Sequence, residues 1–305
     1  GFSLTGFYLD RGRRIIPALT VTATVVTGAG WHFLTPADYS VLAGHVRSSI
    51  LFFSNIDYYN SINYFDTAEN KKWLLHSWSL SVEWQFYMLY PIVIMICRRL
   101  FPARITAILA TSFVASLALC LWQVGADRAA AFYLLPSRAW EMLAGGLVYQ
   151  LSIRSKAMAS GPLVWLGLSL IVASITMLDH DVVWPGAASL LPVVGAALII
   201  ASGGGKNPIL DNPAAQWLGS VSCSLYLWHW PVVVGLAYFG LSGYWYMGAG
   251  IALSVLLAAI SYYVVESPTR RTLHRLGQQS WGLEVASLAV VLTLGAGMAS
   301  GIMMA

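Results

Sequence analysis

An all-α, polytopic bundle of transmembrane helices is what these amino acids predict, and three observations carry that reading. Of the 305 residues, 58% are hydrophobic and only 10% are charged, against about 25% charged in an average soluble domain. The apolar residues fall in runs of about the 20 residues that cross a ~30 Å hydrocarbon layer as a helix. The basic residues gather in the connections between those runs, mostly on one side, as the positive-inside rule requires. The same composition excludes a soluble globular enzyme, a disordered tail and a nucleic-acid binder. The net charge of +4, from 17 Lys+Arg and 13 Asp+Glu, then reads as an orientation signal rather than an affinity for an acidic partner. Cys97, Cys120 and Cys223 each lie inside an apolar run. An odd, widely spaced set of that kind suits neither a disulfide framework nor a metal cluster. The chain opens on Gly1 and a polar, basic stretch without a signal peptide, so residues upstream are expected in the natural protein.

In chain order, the first span is 15–34, entered from Arg11, Arg13 and Arg14. Pro17 is expected in its first turn or two, where a missing N–H matters little. The run 41–58 is apolar but contains His45, Arg47 and Asp57. Were it to cross, either the Arg11–Arg14 cluster or the later basic loops would change sides. It is therefore read as re-entrant or interfacial, its backbone buried in protein or lining a cavity. Further spans are placed at 77–97, 104–122, 132–150, 161–178, 187–201, 217–239 and 244–264. A charged linker at 269–281 precedes a last span at 282–304 and could separate it from the main bundle. About nine crossings result. The domain reading is a membrane domain over 1–268, a cytoplasmic linker over 269–281 and a final helix over 282–305. On this count twelve of the 17 basic residues share one face: Arg11, Arg13, Arg14, Arg98, Arg99, Arg104, Arg154, Lys156, Lys206, Arg270, Arg271 and Arg275. Lys71, Lys72 and Arg128 take the other, while Arg47 and Arg138 remain at membrane depth. The first face is cytoplasmic, and the C-terminus lies outside.

Ionisable groups inside spans are costly and usually face a bundle interior or a wet cavity. In HSWSLSVEWQFYMLYP, His76, Ser79, Glu83, Tyr87 and Tyr90 recur at three and four and share one helical face. Glu83 then sits about 9 Å below the outer end of its span. Function is the favoured reading of that stripe; a carboxylate tying helices together is the plainer one. In PSRAWEMLAGG, Arg138 and Glu141 are three apart and can pair, which suits a structural ion pair as well as a functional one. In SLYLWHWPVVV, His229 is near mid-span. Pro231 leaves the Leu227 carbonyl without its usual partner, as at a cavity-lining position, although a lone His is more often a packing residue. In FYLDRGRRIIPAL, three guanidiniums at a helix start could grip phosphates or simply signal topology. Trp31, Trp73 and Trp78 suit sugar stacking and an interfacial belt alike.

These blocks, with SSILFFSNIDYY, NYFDTAENKKWLLHSWSLSVEWQFYMLYP, SVSCSLYLWHWPVVV and SYYVVESPTR, run in this order from Phe7 to Arg270. They resemble the membrane acyltransferase 3 family, and among its members the bacterial surface-polysaccharide O-acetylases, which often carry a fused SGNH domain. The HSWSLSVEWQFY and SLYLWHWP blocks are specific; an RxxR alone is weak. The family commonly reads EEQFY where this chain has Glu83 followed by Trp84.

The resemblance implies transfer of an acyl group, usually acetyl, from cytoplasmic acyl-CoA (acetyl-CoA) to a sugar hydroxyl across the membrane, as on lipopolysaccharide O-antigen. It associates the RxxR match, Arg11 and Arg14, with the donor. It also implies a principal catalytic His in a helix ahead of Gly1, eleven spans in the SGNH-fused type, and an outer domain after the last of them. The bacterial cytoplasmic membrane is the implied location, with the C-terminus on the periplasmic side. The site expected on this basis has Glu83, His229 and His76 as catalytic residues. Arg11, Arg13 and Arg14 hold the acyl-CoA phosphates, and Ser79, Tyr87, Arg138, Glu141 and Tyr226 line the pocket. A thioester is already activated, so no metal is expected. Expected partners are the bilayer, acyl-CoA, a cell-surface glycan or lipid-linked precursor, and a fused or partner SGNH domain; no nucleic acid is expected. A permease of a small anionic solute is the rival reading, since intramembrane charges and a Pro-broken helix suit it too. A scaffold that merely anchors an outer domain has no need of so many buried polar groups.

Overall fold

The computed structural model describes residues 2–61, 72–154, 161–179, 182–203 and 207–302. Lys71, Lys156 and Lys206, which entered the orientation count, lie outside the described residues. Helices α1 (Leu4–Phe33), α2 (Pro36–Ile50), α3 (Ser54–Ser61), α4 (Ser77–Leu100), α5 (Ile105–Ala126), α6 (Arg128–Tyr133) and α7 (Leu135–Arg154) form the first part of the chain. The second part holds α8 (Gly161–Met177), α9 (Leu190–Ala201), α10 (Pro213–Tyr238), α11 (Tyr244–Ile260), α12 (Ser267–Gln279) and α13 (Trp281–Ile302). A π-helical segment, Ser261–Glu266, joins α11 to α12. No strand occurs among the described residues, so the chain is all-α. Every predicted run lies largely in helix, although 41–58 and 132–150 are each broken between two helices. Among the described residues four helices are long and apolar enough to cross a membrane: Ser77–Leu100, Pro102–Ala126, Pro213–Tyr238 and Tyr244–Gly277. Gly161–Met177, Ala187–Ala201 and Trp281–Thr293 are apolar but shorter. At about 1.5 Å per residue, 17 residues fall short of a ~30 Å layer. Nine crossings were expected, and four helices meet the requirement for one.

The chain divides into two compact units, Gly1–Trp84 with Trp217–Ala305, and Gln85–Gln216. In the first, α1 begins early because Ser3 caps it, its hydroxyl accepting from the Gly6 N–H at 3.1 Å. Pro17 is therefore interior to a 30-residue helix, not in its first turns as expected. It removes the N–H that would pair with the Arg13 carbonyl. The run 41–58 breaks between α2 and α3. Phe52 adopts φ 56°, the Phe53 N–H donates to Ser48 O and the Phe52 N–H to Ser49 O. That is a Schellman ending with a phenylalanine where glycine is usual. The conformation is held by burial and by stacking of Phe52 on Trp84, centroids 4.3 Å apart and 11° from parallel. A buried file of hydroxyls sews this hairpin to α4: Ser49 to Ser77 at 2.7 Å, Ser77 to Ser54 at 3.0 Å and Ser54 to Ser81 at 2.7 Å. Each of these polar groups is satisfied inside the protein, as a membrane environment demands.

The stretch 269–281, expected as a linker, lies mostly in α12. Its charged residues recur on one face, as in an amphipathic helix. Nor is the last helix separate: α13 packs against α1, α2 and α12. Small residues admit it. A Cβ on Gly295 would meet Ile50 Cδ1 at 2.8 Å, and one on Gly12 would meet Leu288 Cδ1 at 3.2 Å.

In the second unit α5 packs on α7, and α9 packs on both α7 and α8. Ser116 of α5 enters the first turns of α7. Its hydroxyl donates to Pro136 O at 2.6 Å and accepts from the Trp140 N–H at 3.0 Å, bridging a backbone pair that a regular helix would join directly. The α8–α9 crossing rests on two glycines. A Cβ at Gly167 would lie 2.5 Å from the Gly195 carbonyl oxygen, and one at Gly195 would lie 2.8 Å from the Gly167 oxygen. Backbone cannot give way cheaply, so Gly167→Ala is expected to destabilise the protein by about 1–3 kcal/mol. Gly28→Ala, where nothing lies within 4 Å, should be neutral or mildly stabilising. Thermal unfolding in detergent measures both.

Candidate functional site

Within the first unit, α1, the π-helical segment and α12 enclose a cavity of about 640 Å³. Asp10, Arg11, Arg13 and Arg14 line it from α1; Tyr262 and Glu266 from the π-helical segment; Ser267, Arg270, Arg271 and His274 from α12. Five guanidiniums thus face two carboxylates. The three arginines expected to act together do share one cavity, and α12 adds two more that sequence reasoning treated only as orientation signals.

Two buried carboxylates build this wall. Glu284 of α13 is fully buried, and the Arg13 guanidinium donates to it through two nitrogens, Nη2 to Oε2 at 2.6 Å and Nε to Oε1. The remaining arm of Arg13, Nη1, donates to Asp10 Oδ1 at 2.7 Å and lies 3.1 Å from His274 Nδ1. Arg13 is therefore committed to protein partners and contributes to the cavity as a charge and a strut. Gly277 makes the fit possible, since a Cβ there would lie 2.1 Å from Glu284 Oε2. Glu266, 1% exposed, accepts from the Ser224 hydroxyl at 2.9 Å and interacts with both Arg14 and Arg270. The π-helical winding brings Ser261 and Glu266, five residues apart, to the same Ser224 hydroxyl, 3.5 Å from Ser261 Oγ.

From this cavity a file of polar groups runs along the facing sides of α10 and α4. Arg14 is within hydrogen-bonding reach of the Cys223 thiol, and Glu83 acts electrostatically on Cys223 and on Tyr226. The Tyr226 hydroxyl contacts the Ser79 hydroxyl and donates to the His76 carbonyl. The His76 ring lies edge-on to Tyr226 and to His229, centroids 5.2 and 5.6 Å away. His229 Nδ1 is 2.7 Å from the Tyr226 carbonyl. A carbonyl can only accept, so Nδ1 carries a proton and Nε2 is the ring position left for a second partner. Cys223, Tyr226 and His229 recur every third residue, which places His229 about 9 Å along the helix from Cys223. Five residues expected at the site, His76, Ser79, Glu83, Tyr226 and His229, are thus brought together.

His76 lies just outside Ser77–Leu100 and is 6% exposed. Burial first, and then His229, lower its pKa to about 3. The Leu227 carbonyl, which Pro231 deprives of its helical donor, opposes that shift. The ring is therefore neutral at physiological pH. Neither of its nitrogens has a full hydrogen bond among the described residues. Trp230 Nε1 donates to the Lys72 carbonyl at 2.9 Å, anchoring the segment that carries His76.

Tyr87, Arg138 and Glu141 belong to the second unit. There Arg138 Nη2 pairs with Glu141 Oε2 at 2.9 Å on α7, at the expected spacing. The Arg138 guanidinium also lies 6.0 Å from the centre of the Phe132 ring. Of the outer aromatics, Trp31 is 62% exposed and packs edge-on with Tyr39. Trp73 contacts Tyr238 and lines an apolar groove of about 310 Å³ with Trp228 and Pro231.

Sequence reasoning missed Glu266, Glu284, Arg270, Arg271, His274 and Cys223. A usable signal existed for some of them: Glu266 and Arg270 are four apart, and Arg270, Arg271 and His274 fall on one helical face. Nothing local signalled Glu284.

A family model described as an acyltransferase domain matches residues 1–296. The candidate peptidoglycan O-acetyltransferase YrhL of Bacillus subtilis is 26% identical over 291 residues, which cover 87% of this chain and 45% of YrhL. The candidate membrane-bound transacylase BcsY of Komagataeibacter xylinus is 26% identical over 276 residues, covering 87% of this chain and 69% of BcsY. The peptidoglycan O-acetyltransferase OatA of Listeria monocytogenes is 24% identical over 291 residues, covering 88% of this chain and 46% of OatA. The chain spans somewhat under half the length of YrhL and OatA. No solved structure is a significant match.

Removing one partner of a buried ion pair leaves the other charge uncompensated, at a cost of about 3–5 kcal/mol. Glu284→Ala is accordingly expected to lower the unfolding midpoint sharply, and Gly277→Val to do the same by displacing the carboxylate. Unfolding of the purified protein in detergent reads both.

Proposed function

The chain belongs to the membrane acyltransferase 3 family, and from that premise we propose that it transfers an acyl group, acetyl in the first instance, from acyl-CoA to a hydroxyl of a cell-surface polysaccharide. The single observation that carries this reading is the arginine-lined cavity with a polar file leading from it to a base-competent histidine. A cavity of about 640 Å³ is of the size that holds a small cofactor. Its guanidiniums suit phosphates, which they grip in bidentate fashion. Relatives named as peptidoglycan O-acetyltransferases support acetyl as the group and a glycan as the acceptor. On this reading the protein lies in a bacterial cytoplasmic membrane, with donor entering at the cytoplasmic arginines and the C-terminus outside. The acceptor is reached directly or through an SGNH domain.

In the proposed mechanism the phosphates of acyl-CoA rest against Arg11 and Arg14, and the thioester arm runs along the file past Cys223 and Glu83. The acceptor hydroxyl gives its proton to His229 Nε2 as its oxygen bonds to the thioester carbonyl carbon. The carbon–sulfur bond then breaks, and the proton passes to the departing CoA sulfur. His229 is oriented for this by its Nδ1–H bond to the Tyr226 carbonyl, as a general base must be. Glu83 keeps the middle of the file polar and is a second proton acceptor along it.

In the full-length protein, His229→Gln is expected to lower transfer by about 10²-fold or more. Arg14→Ala should raise KM for acyl-CoA more than it lowers kcat, and Glu83→Gln should impair turnover. Acetate on the surface glycan, quantified by mass spectrometry, and kinetics with purified protein measure these effects. Undiminished acetylation by correctly inserted, normally abundant variants would remove those residues from the mechanism.

A further inference from the structure

The geometry points to a division of labour in the arginine cavity: Arg270 and Arg271 recognise the 3′-phosphate of CoA, while Arg11 and Arg14 hold its pyrophosphate. This rests on the acyl-CoA reading and adds to it a specificity determinant on α12.

Three features support the assignment. The arginines come as two sets on different helices, one from α1 and one from α12, lining a single cavity. One phosphate does not require both, whereas CoA carries two anionic centres separated by a ribose. Arg13, which stands within the α1 set, is occupied by Glu284 and Asp10, so the α1 contribution to a ligand falls to its neighbours. Glu266 interacts with both Arg14 and Arg270 from a buried position. It draws one guanidinium of each set toward the cavity while leaving positive charge in excess.

The order of the two sets is given by the polar file. Arg14 reaches Cys223, where the file begins. The phosphates nearest the thioester arm are those of the pyrophosphate, so they fall to the α1 set. The far end of the ligand, with its 3′-phosphate, is left to α12. His274 sits beside Arg13 Nη1 at the junction of the two sets.

The test compares CoA with 3′-dephospho-CoA, using the full-length protein in nanodiscs of uncharged lipid and a direct binding measurement such as calorimetry. Loss of a charge-assisted phosphate contact is expected to weaken dephospho-CoA by about tenfold or more relative to CoA. The double variant R270A/R271A should bind CoA as weakly as dephospho-CoA, with dephospho-CoA itself little changed. R11A/R14A should weaken both ligands. If the unaltered protein binds the two ligands equally, the α12 assignment is overturned while the donor reading stands; this comparison needs no variant. If it binds neither, the donor reading fails as well. Repeating the titration with phosphatidylglycerol in the nanodisc separates the other source of phosphate. Abolition of CoA binding there would assign the α12 arginines to lipid headgroups and overturn the proposal.

Discussion

The pair between Arg13 and the fully buried Glu284 is the interaction on which the arginine cavity depends. A guanidinium and a carboxylate withdrawn from water carry a large desolvation cost, recovered only when the geometry is good and the remaining donors are used. Here the pair is bidentate and the third nitrogen turns to Asp10. One side chain thereby joins α1 to α13, with α12 held close through Gly277 and His274. Take the pair away and the helices that present Arg11, Arg14, Arg270 and Arg271 lose their common reference.

The same constraint governs the interior. The hydroxyl file beside α3 and the serine inserted into the first turns of α7 are both cases of side-chain polarity satisfied by protein partners. Where the management is complete, as between Ser49 and Ser81, the result is adhesion between helices. Where it is incomplete, as at the two His76 nitrogens, polar capacity is kept in reserve beside His229.

Much of the fold was legible because hydrophobicity writes helices directly: every apolar run lies largely in helix, even where, as in 41–58 and 132–150, a break divides it. Local spacing was equally readable, so Arg138 with Glu141 was placed by counting threes. Helix starts were less so. Ser3 capped α1 about a dozen residues before its apolar run, which moved Pro17 from a first turn to an interior. The charged stretch after Glu266 was read as a linker because it lacks an apolar run, although its charges fall on one face of α12. Glu284 was invisible for a different reason: its partner is 271 positions away in the chain, and no periodicity links them. A single carboxylate near the start of an apolar segment looks like any interfacial residue until the fold brings an arginine against it.

The π-helical segment at Ser261–Glu266 has a bearing on angular phase. Wound as a regular α-helix, the same segment would carry everything downstream about 100° further around the axis. In that winding Arg270 and Arg271 would point about a quarter-turn away from the cavity that they line with α1. A local change of winding is thus enough to set which way the arginines of α12 face.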